Sequence, residues 1–189
     1  MVVVCVGGGP SLLAADVAAC RGKAFVLAIN NAVHLAPWAE AVLGGDLKWW
    51  KWNRGLPRFT GRRFTCHGTA QKAFPDLERF RISALTGLDL TPGWVCSGGN
   101  SGYAAINIAV HLGARQILLL GYDMQPSDTG ADHWHAPHPD GTHPGYGLCL
   151  PRFTSLVDPL AALGIDVVNC SRVSAMTIFP RRSIQEALA

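Results

Sequence analysis

Apolar residues in this chain come in short unbroken runs, separated by stretches in which they recur every three or four positions. The runs are Val2 to Val6, Ala24 to Ile29, Ala41 to Leu43, Gln116 to Leu120 and Ile165 to Asn169. Their length and their Val, Ile and Leu content suit parallel strands buried on both faces. Between them, helical spacing predicts a helix from about Leu12 to Cys20, broken at Gly22, and a short helical piece from Asn30 towards Pro37. A further helix is expected near Ala70 to Arg79, and another from Asn100 or Ser101 to Gly113. In the latter Ala104, Ile108 and Leu112, with Ala105 and Ala109, mark the buried face, and Gly113 supplies the left-handed residue that ends it. Arg152 to Leu163 reads as a helix closed by Gly164, and Arg181-Arg182 to Ala189 as a short surface helix. Arg63 to Cys66 and Arg81 to Leu85 read as two extra strand-like pieces. This alternation predicts an α/β fold: a single open, mostly parallel Rossmann-like sheet with helices on both faces, in one domain over residues 1–189.

Composition narrows the class. Nearly half of the 189 residues are apolar (49%) and only 15% are charged, so the chain is long and apolar enough for a sizeable core and is not disordered. The mean hydropathy is positive. Yet no apolar run reaches the roughly 18 residues of a spanning helix. Met1 leads straight into a strand with no basic segment before it, which predicts a cytoplasmic chain complete at its N-terminus. Cys5, Cys20, Cys66, Cys96, Cys149 and Cys170 are scattered, never as C-x-x-C, and read as reduced core residues. A net charge of +3 suits phosphorylated ligands and is too small to argue for duplex DNA.

Polar and glycine residues gather where the strands end. Gly7-Gly8-Gly9-Pro10-Ser11 follows the first, Asn30-Asn31 the second, Gly44-Gly45-Asp46 the third, and Gly121-Tyr122-Asp123 the strand after Gln116. Open parallel sheets bind ligands at that edge. Pro10 stands where the first residue of a helix would be. A glycine turn running into a helix start exposes N–H groups at the positive end of a helix dipole, a ready anion site. Asn100-Ser101-Gly102 repeats the arrangement at a second helix start. The first pattern is neither G-x-x-x-x-G-K-[ST] nor G-x-G-x-x-G and names no cofactor; a tight turn with no ligand is the plainer reading. The asparagine amides can donate to and accept from a base or ribose, and Asp46 can hold a hydroxyl or a metal, although Asn and Asp are also ordinary turn formers.

Two stretches add chemistry. In Lys48-Trp-Trp-Lys-Trp-Asn-Arg54, Trp49, Trp50 and Trp52 cannot all face one core, so at least one is expected at a groove, close to the cations of Arg58, Arg62 and Arg63, although a core tryptophan beside a solvated basic loop is the more ordinary explanation. Asp123 to Tyr146 is a long apolar-poor loop carrying Asp128, Asp132, His133, His135, His138, Asp140 and His143. Loops this long are uncommon in compact domains unless functional. His133 and His135 are two apart, which in an extended chain puts both rings on one side. They could take a proton from an acceptor hydroxyl and neutralise a leaving phosphate, hold a divalent metal with Asp123 or Asp132, or simply hydrogen-bond one another.

The segments Gly7-Gly-Gly-Pro-Ser-Leu12, the strand ending at Asn30, and Asn100-Ser-Gly-Tyr with Leu112-Gly-Ala-Arg-Gln-Ile117 and Leu120-Gly-Tyr-Asp-Met124 resemble two related groups. These are the bacterial lipooligosaccharide sialyltransferases, and the wider Rossmann-like set containing a 6-hydroxymethylpterin diphosphokinase and flagellin-modifying glycosyltransferases. The resemblance runs from Val2 to about Phe179. It implies nucleotide contacts from Gly7, Gly8, Gly9, Asn30, Asn100 and Ser101. The sialyltransferases carry an asparagine where this chain has Gly8, and another that Gly45 or Asp46 replaces here. They also carry a tyrosine pair at the leaving phosphate, and Tyr122 and Tyr146 do not stand at its expected positions. Their general-base histidine precedes the last helix and a Cys-Pro-Asn-Ser strand end. Val168-Asn-Cys-Ser171 matches that end loosely, and counting back places His143 within a few residues of the base.

These readings combine into one expectation. The chain is a transferase moving a group, most simply a sugar, from a nucleotide-activated donor to an acceptor hydroxyl. His143 is the first choice of base, with His133 and His135 as further catalytic residues. The nucleotide site comprises Gly7, Gly8, Gly9, Ser11, Asn30, Asn31, Asp46, Asn100, Ser101, Gly102 and Asp123. The donor is a substrate and no cofactor or metal is required. A diphosphokinase acting on a pterin-like substrate would instead need Mg²⁺, with Asp46 and Asp123 as anchors; a non-catalytic nucleotide-binding module is the third possibility. The acceptor is a glycan or small metabolite. No membrane span and no nucleic-acid duplex are expected, while a modified nucleobase as acceptor and a homo-oligomer are both compatible with the sequence.

Overall fold

A computed structural model describes residues 1–141 and 143–189. Seven parallel strands form one open sheet in the order β5-β4-β3-β2-β1-β8-β9. They are β1 (Val2–Val6), β2 (Phe25–Ile29), β3 (Ala41–Gly44), β4 (Arg62–Thr65), β5 (Glu78–Arg79), β8 (Gln116–Leu120) and β9 (Asp166–Asn169). Two further strands, β6 (Arg81–Ala84) and β7 (Trp94–Cys96), pair with each other in a separate parallel ribbon. All five long apolar runs are therefore strands, and the central ones are sealed: Val3 to Val6 and Val26 to Ala28 have no exposed surface.

Alternation along the strands divides the core in two. Val3, Cys5, Leu27, Leu43, Ile117 and Leu119 face one layer, with α4 (Ser101–His111) and the Phe153–Leu156–Leu160 stretch packed on them. Val4, Val6, Val26, Ala28, Leu118 and Leu120 face the other, covered by α1 (Ala14–Ala18), α2 (Leu47–Trp52), Ala70 of α3 (Gly68–Ala73) and Ile184 of α7 (Ile184–Ala187). Helices thus lie on both faces, as the Rossmann-like expectation requires. All six cysteines are free, and five are buried. No helix among the described residues is long and apolar enough to cross a membrane.

Three expected helices come out shorter. The first, expected over about Leu12 to Cys20, spans Ala14–Ala18 and leaves Pro10 outside it, because the Ser11 N–H is drawn to Asp123 and the Leu12 N–H closes a turn on Gly9. The one expected near Ala70 to Arg79 stops at Ala73, ahead of Pro75, and its last residues become the edge strand β5. After the short α5 (Tyr146–Cys149), Arg152 to Leu163 divides between a 3₁₀ stretch, Leu150–Leu156, and α6 (Val157–Ala162). Gly113 and Gly164 do end their helices in the left-handed conformation.

Candidate functional site

In the sheet order, chain connectivity runs outward from β1 to β5 on one side and continues through β8 and β9 on the other. The direction reverses between β1 and β8, the switch point at which open parallel sheets bind ligands. A cavity of about 150 Å³ occupies it, lined by Gly7 to Gly9, Asn30, Asn31, Asn100 to Gly102, Gly121 to Met124, His133, His135, His138, Pro144 and Tyr146. A second cavity of about 210 Å³ shares Asn100 and Ser101 with it and continues past Gly45 to Leu43, Cys66 and Ile82. Neither approaches the roughly 300–1,000 Å³ of a typical small-molecule pocket, so the first has room for the reacting end of a ligand.

The glycine loop takes a different role from the one its sequence suggests. The Gly7 and Gly9 N–H groups donate to the Leu120 and Gly121 carbonyls at 2.7 and 2.8 Å. With the helix starting later, these groups do not form an anion cradle; the loop clips β1 to the exit of β8. A Cβ on Gly9 would lie 2.2 Å from Asp123 Oδ1, so glycine is needed here for the carboxylate to fit beneath the loop. Asp123 is 1% exposed, its Oδ2 accepts the Ser11 N–H at 2.7 Å, and its Oδ1 has no partner among the described residues. Burial raises its pKa, against the lowering effect of the Ser11 hydrogen bonds.

The asparagines also divide. Asn30 adopts a left-handed backbone and its Oδ1 accepts the Gly45 N–H at 2.8 Å, which ties the ends of β2 and β3 together. Asn100 caps α4, its Oδ1 accepting from the Gly102 and Tyr103 N–H groups. Ser101 stands at the positive end of this eleven-residue helix and lines both cavities. Asp46 lies outside the first cavity, where it caps α2 through the Trp49 N–H. Ser11 lies behind the site and acts through its N–H on Asp123.

Above the crevice, the 123–146 loop folds three imidazoles together. His133 and His135 stack with centroids 4.8 Å apart and planes 13° from parallel, and His138 meets them edge-on at 5.0 and 5.3 Å. Trp49 and Trp50 are core residues, whereas Trp52 is exposed and stacks on His138 at 6.1 Å. His133 Nδ1 lies 3.2 Å from the Gly8 carbonyl. A carbonyl only accepts, so Nδ1 carries the proton and Nε2 carries the lone pair. Burial lowers the pKa of His133, and His135 and His138 lower it further, so the ring is neutral at physiological pH.

His143 is placed elsewhere. Its side chain is 80% exposed, pairs with Asp132 at 2.6 Å, and does not line the cavity. The alternative of a metal held by the His133/His135 pair with Asp123 or Asp132 is not assembled. Near-parallel rings direct their lone pairs along parallel planes, Asp123 is engaged under the glycine loop, and Asp132 is engaged by His143. Among the described residues no three His, Cys, Asp or Glu side chains are grouped to hold a metal ion.

Sequence reasoning passed over His138 and the two tyrosines as site residues. The Tyr122 hydroxyl donates to the Gly102 carbonyl at 3.0 Å, and that of Tyr146 to the Asp132 carbonyl at 2.8 Å. Burial, with Asp132 and Asp123 nearby, pushes Tyr146 up to about 12. The position of Tyr122 directly after the strand-ending Gly121 was the available signal; nothing local marked Tyr146. The chain matches no family model, no curated protein and no solved structure.

Proposed function

We propose that this protein transfers a group, a sugar being the simplest, from a nucleotide-activated donor to an acceptor hydroxyl, with His133 as the general base. The observation that carries this reading is the state of His133. It is a neutral imidazole, with its tautomer set by the Gly8 carbonyl and its Nε2 without a hydrogen-bond partner among the described residues, in a cavity at the switch point of a parallel sheet. Such a ring takes the hydroxyl proton as the acceptor oxygen attacks the transferred carbon, while the bond to the donor phosphate breaks and the phosphate leaves with the electron pair. The leaving phosphate meets the Ser101 N–H and hydroxyl at the start of α4. His133 replaces His143 as base in this reading because His133 lines the cavity and His143 does not.

A thermal-shift panel of CMP-, UDP- and GDP-sugars, ATP and free pterin, each with and without Mg²⁺, tests the donor class. Stabilisation by a nucleotide sugar without metal supports transfer. Stabilisation by ATP only with Mg²⁺ points to the diphosphokinase chemistry, and tight binding without release of nucleotide points to a non-catalytic module. With a turning-over donor, His133→Gln should lower turnover by about 10²–10⁴-fold. His143→Gln should leave it nearly unchanged; the opposite pattern returns the base to His143.

A further inference from the structure

The ribbon of β6 and β7 stands apart from the seven-stranded sheet, and two strands alone are marginal in water. Side chains of α4 hold it. Asn107 has no exposed surface; its Oδ1 accepts the Asp89 and Cys96 N–H groups at 3.0 and 2.9 Å, and its Nδ2 donates to the Asp89 carbonyl at 2.8 Å. The Tyr103 hydroxyl donates to the Gly87 carbonyl at 2.8 Å, and His111 Nε2 to the Trp94 carbonyl at 2.7 Å. A ribbon whose first strand is exposed at every residue is thus fixed against a buried helix.

The ribbon walls the second cavity. Ile82 comes from β6 and Ser97 from just past β7, Leu43, Gly45 and Cys66 come from the ends of β3 and β4, and Ala104 from α4. Leu43, Ile82 and Ala104 present hydrocarbon. Burial pushes the Cys66 thiol up to about 11, so it stays neutral and adds a weakly polar surface. Ser97 is the buried polar side chain among them. Its Oγ accepts the Gly99 N–H at 3.3 Å, and its own proton remains to donate. Ile82 is 49% exposed, and a ligand in the cavity would cover part of that surface.

The two cavities meet at Asn100 and Ser101. A Cβ on Gly45 would lie 2.6 Å from Ser101 Oγ and 3.3 Å from Asn30 Oδ1, so any side chain there would press into this boundary. At about 150 and about 210 Å³ the cavities together reach the lower end of the roughly 300–1,000 Å³ of a typical small-molecule pocket.

We infer that the second cavity receives the base of the nucleotide donor, with the phosphate at Ser101 between it and the transferred group in the first cavity. This rests on the reading of the ligand as a nucleotide, and it deepens that reading by assigning the far end. The order along the donor is base, ribose, phosphate, transferred group. The order across the site is second cavity, Ser101, first cavity with His133. A base has apolar faces and a polar edge, which suits hydrocarbon walls with one hydroxyl donor among them. The acceptor hydroxyl must reach His133, which lines the first cavity and not the second.

Isothermal titration of the whole chain with CMP, UMP, GMP and AMP, each against ribose 5-phosphate, isolates the base, because ribose 5-phosphate is the same ligand without it. At least one monophosphate should bind roughly tenfold tighter than ribose 5-phosphate. Ile82→Ala truncates a half-exposed side chain outside the core and should cut that advantage by about fivefold. Ala104→Leu fills the cavity from the helix and should abolish it. Methyl NMR locates the contact. The Leu43, Ile82 and Ala104 methyl signals should move with the monophosphate, through the ring current of the base, and stay fixed with ribose 5-phosphate.

If the monophosphates bind no tighter than ribose 5-phosphate, or keep their advantage in both variants with the three methyl signals unmoved, the base lies elsewhere. The inference is then overturned and the nucleotide reading stands. If no monophosphate binds at all, the nucleotide reading fails and this inference falls with it.

Discussion

Gly9 offers the sharpest test of how the site is built. Its φ is not in the left-handed region, so alanine costs nothing in backbone strain and the whole effect must come from contact. The new methyl would lie 2.2 and 2.5 Å from Asp123 Oδ1 and Cγ, and 2.8 Å from the Gly121 carbonyl oxygen. Neither neighbour can yield freely: the carboxylate is buried and held by the Ser11 N–H at 2.7 Å, and the carbonyl is backbone that also accepts the Gly9 N–H. Either the loop lifts, an overpacking cost of about 1–3 kcal/mol, or the carboxylate swings off Ser11, losing a charge-assisted hydrogen bond of about 1.5–3 kcal/mol. The easier route decides, so Gly9→Ala should cost about 1–3 kcal/mol. At about 2–4 °C per kcal/mol for a chain of this size, the melting temperature should fall by about 2–12 °C. A double-mutant cycle identifies the partner. In an Asp123→Ala background the two carboxylate contacts are gone, and the same glycine change should cost less by about 1 kcal/mol or more in denaturant unfolding. An equal cost in both backgrounds would refute the idea that Gly9 is kept small for Asp123.

Asp123→Asn keeps an acceptor for Ser11 while removing a buried charge. Because burial raises the folded-state pKa of Asp123, its penalty is present above that pKa and absent below the unfolded value. The variant's gain in melting temperature should therefore grow from pH 4 to pH 8; a gain independent of pH would contradict this. Asn100→Ala removes the acceptor for two N–H groups of α4 and should cost about 0.5–2 kcal/mol in denaturant unfolding. The nearly sealed Asp16 is held by two bonds from Arg172, at 2.6 and 2.9 Å, and one from Gln185 at 3.3 Å. Asp16→Asn should loosen the C-terminal helix, read as faster amide exchange over Ile184–Ala187. The Arg172 hydrogen bond lowers the Asp16 pKa, so the stability this pair contributes holds above the unfolded carboxylate value and is lost as pH falls through the folded one.

The strands needed nothing beyond the chain to be recognised. Val2–Val6 or Gln116–Leu120 can be buried on both faces only in a covered parallel sheet, and a run of β-branched and apolar residues bounded by glycine states that locally. The glycines ending α4 and α6, and the asparagine capping α4, were likewise legible because their causes lie within a few residues. The polar residues gathered at the strand ends were visible too, and most of them line the cavity.

What each polar group does there could not be read locally. The Gly7 and Gly9 N–H groups looked free in sequence and are taken by carbonyls more than a hundred residues away. Asp46 became a helix cap and Ser11 a support for Asp123. The choice among the histidines was decided by the path of a long loop with no periodicity of its own, which turns His143 outward and stacks His133 on His135. Sequence patterns report burial, which is set by near neighbours along an element. Protonation and hydrogen-bond commitment depend on which distant carbonyl or amide lies within 3 Å, and only the tertiary structure decides that.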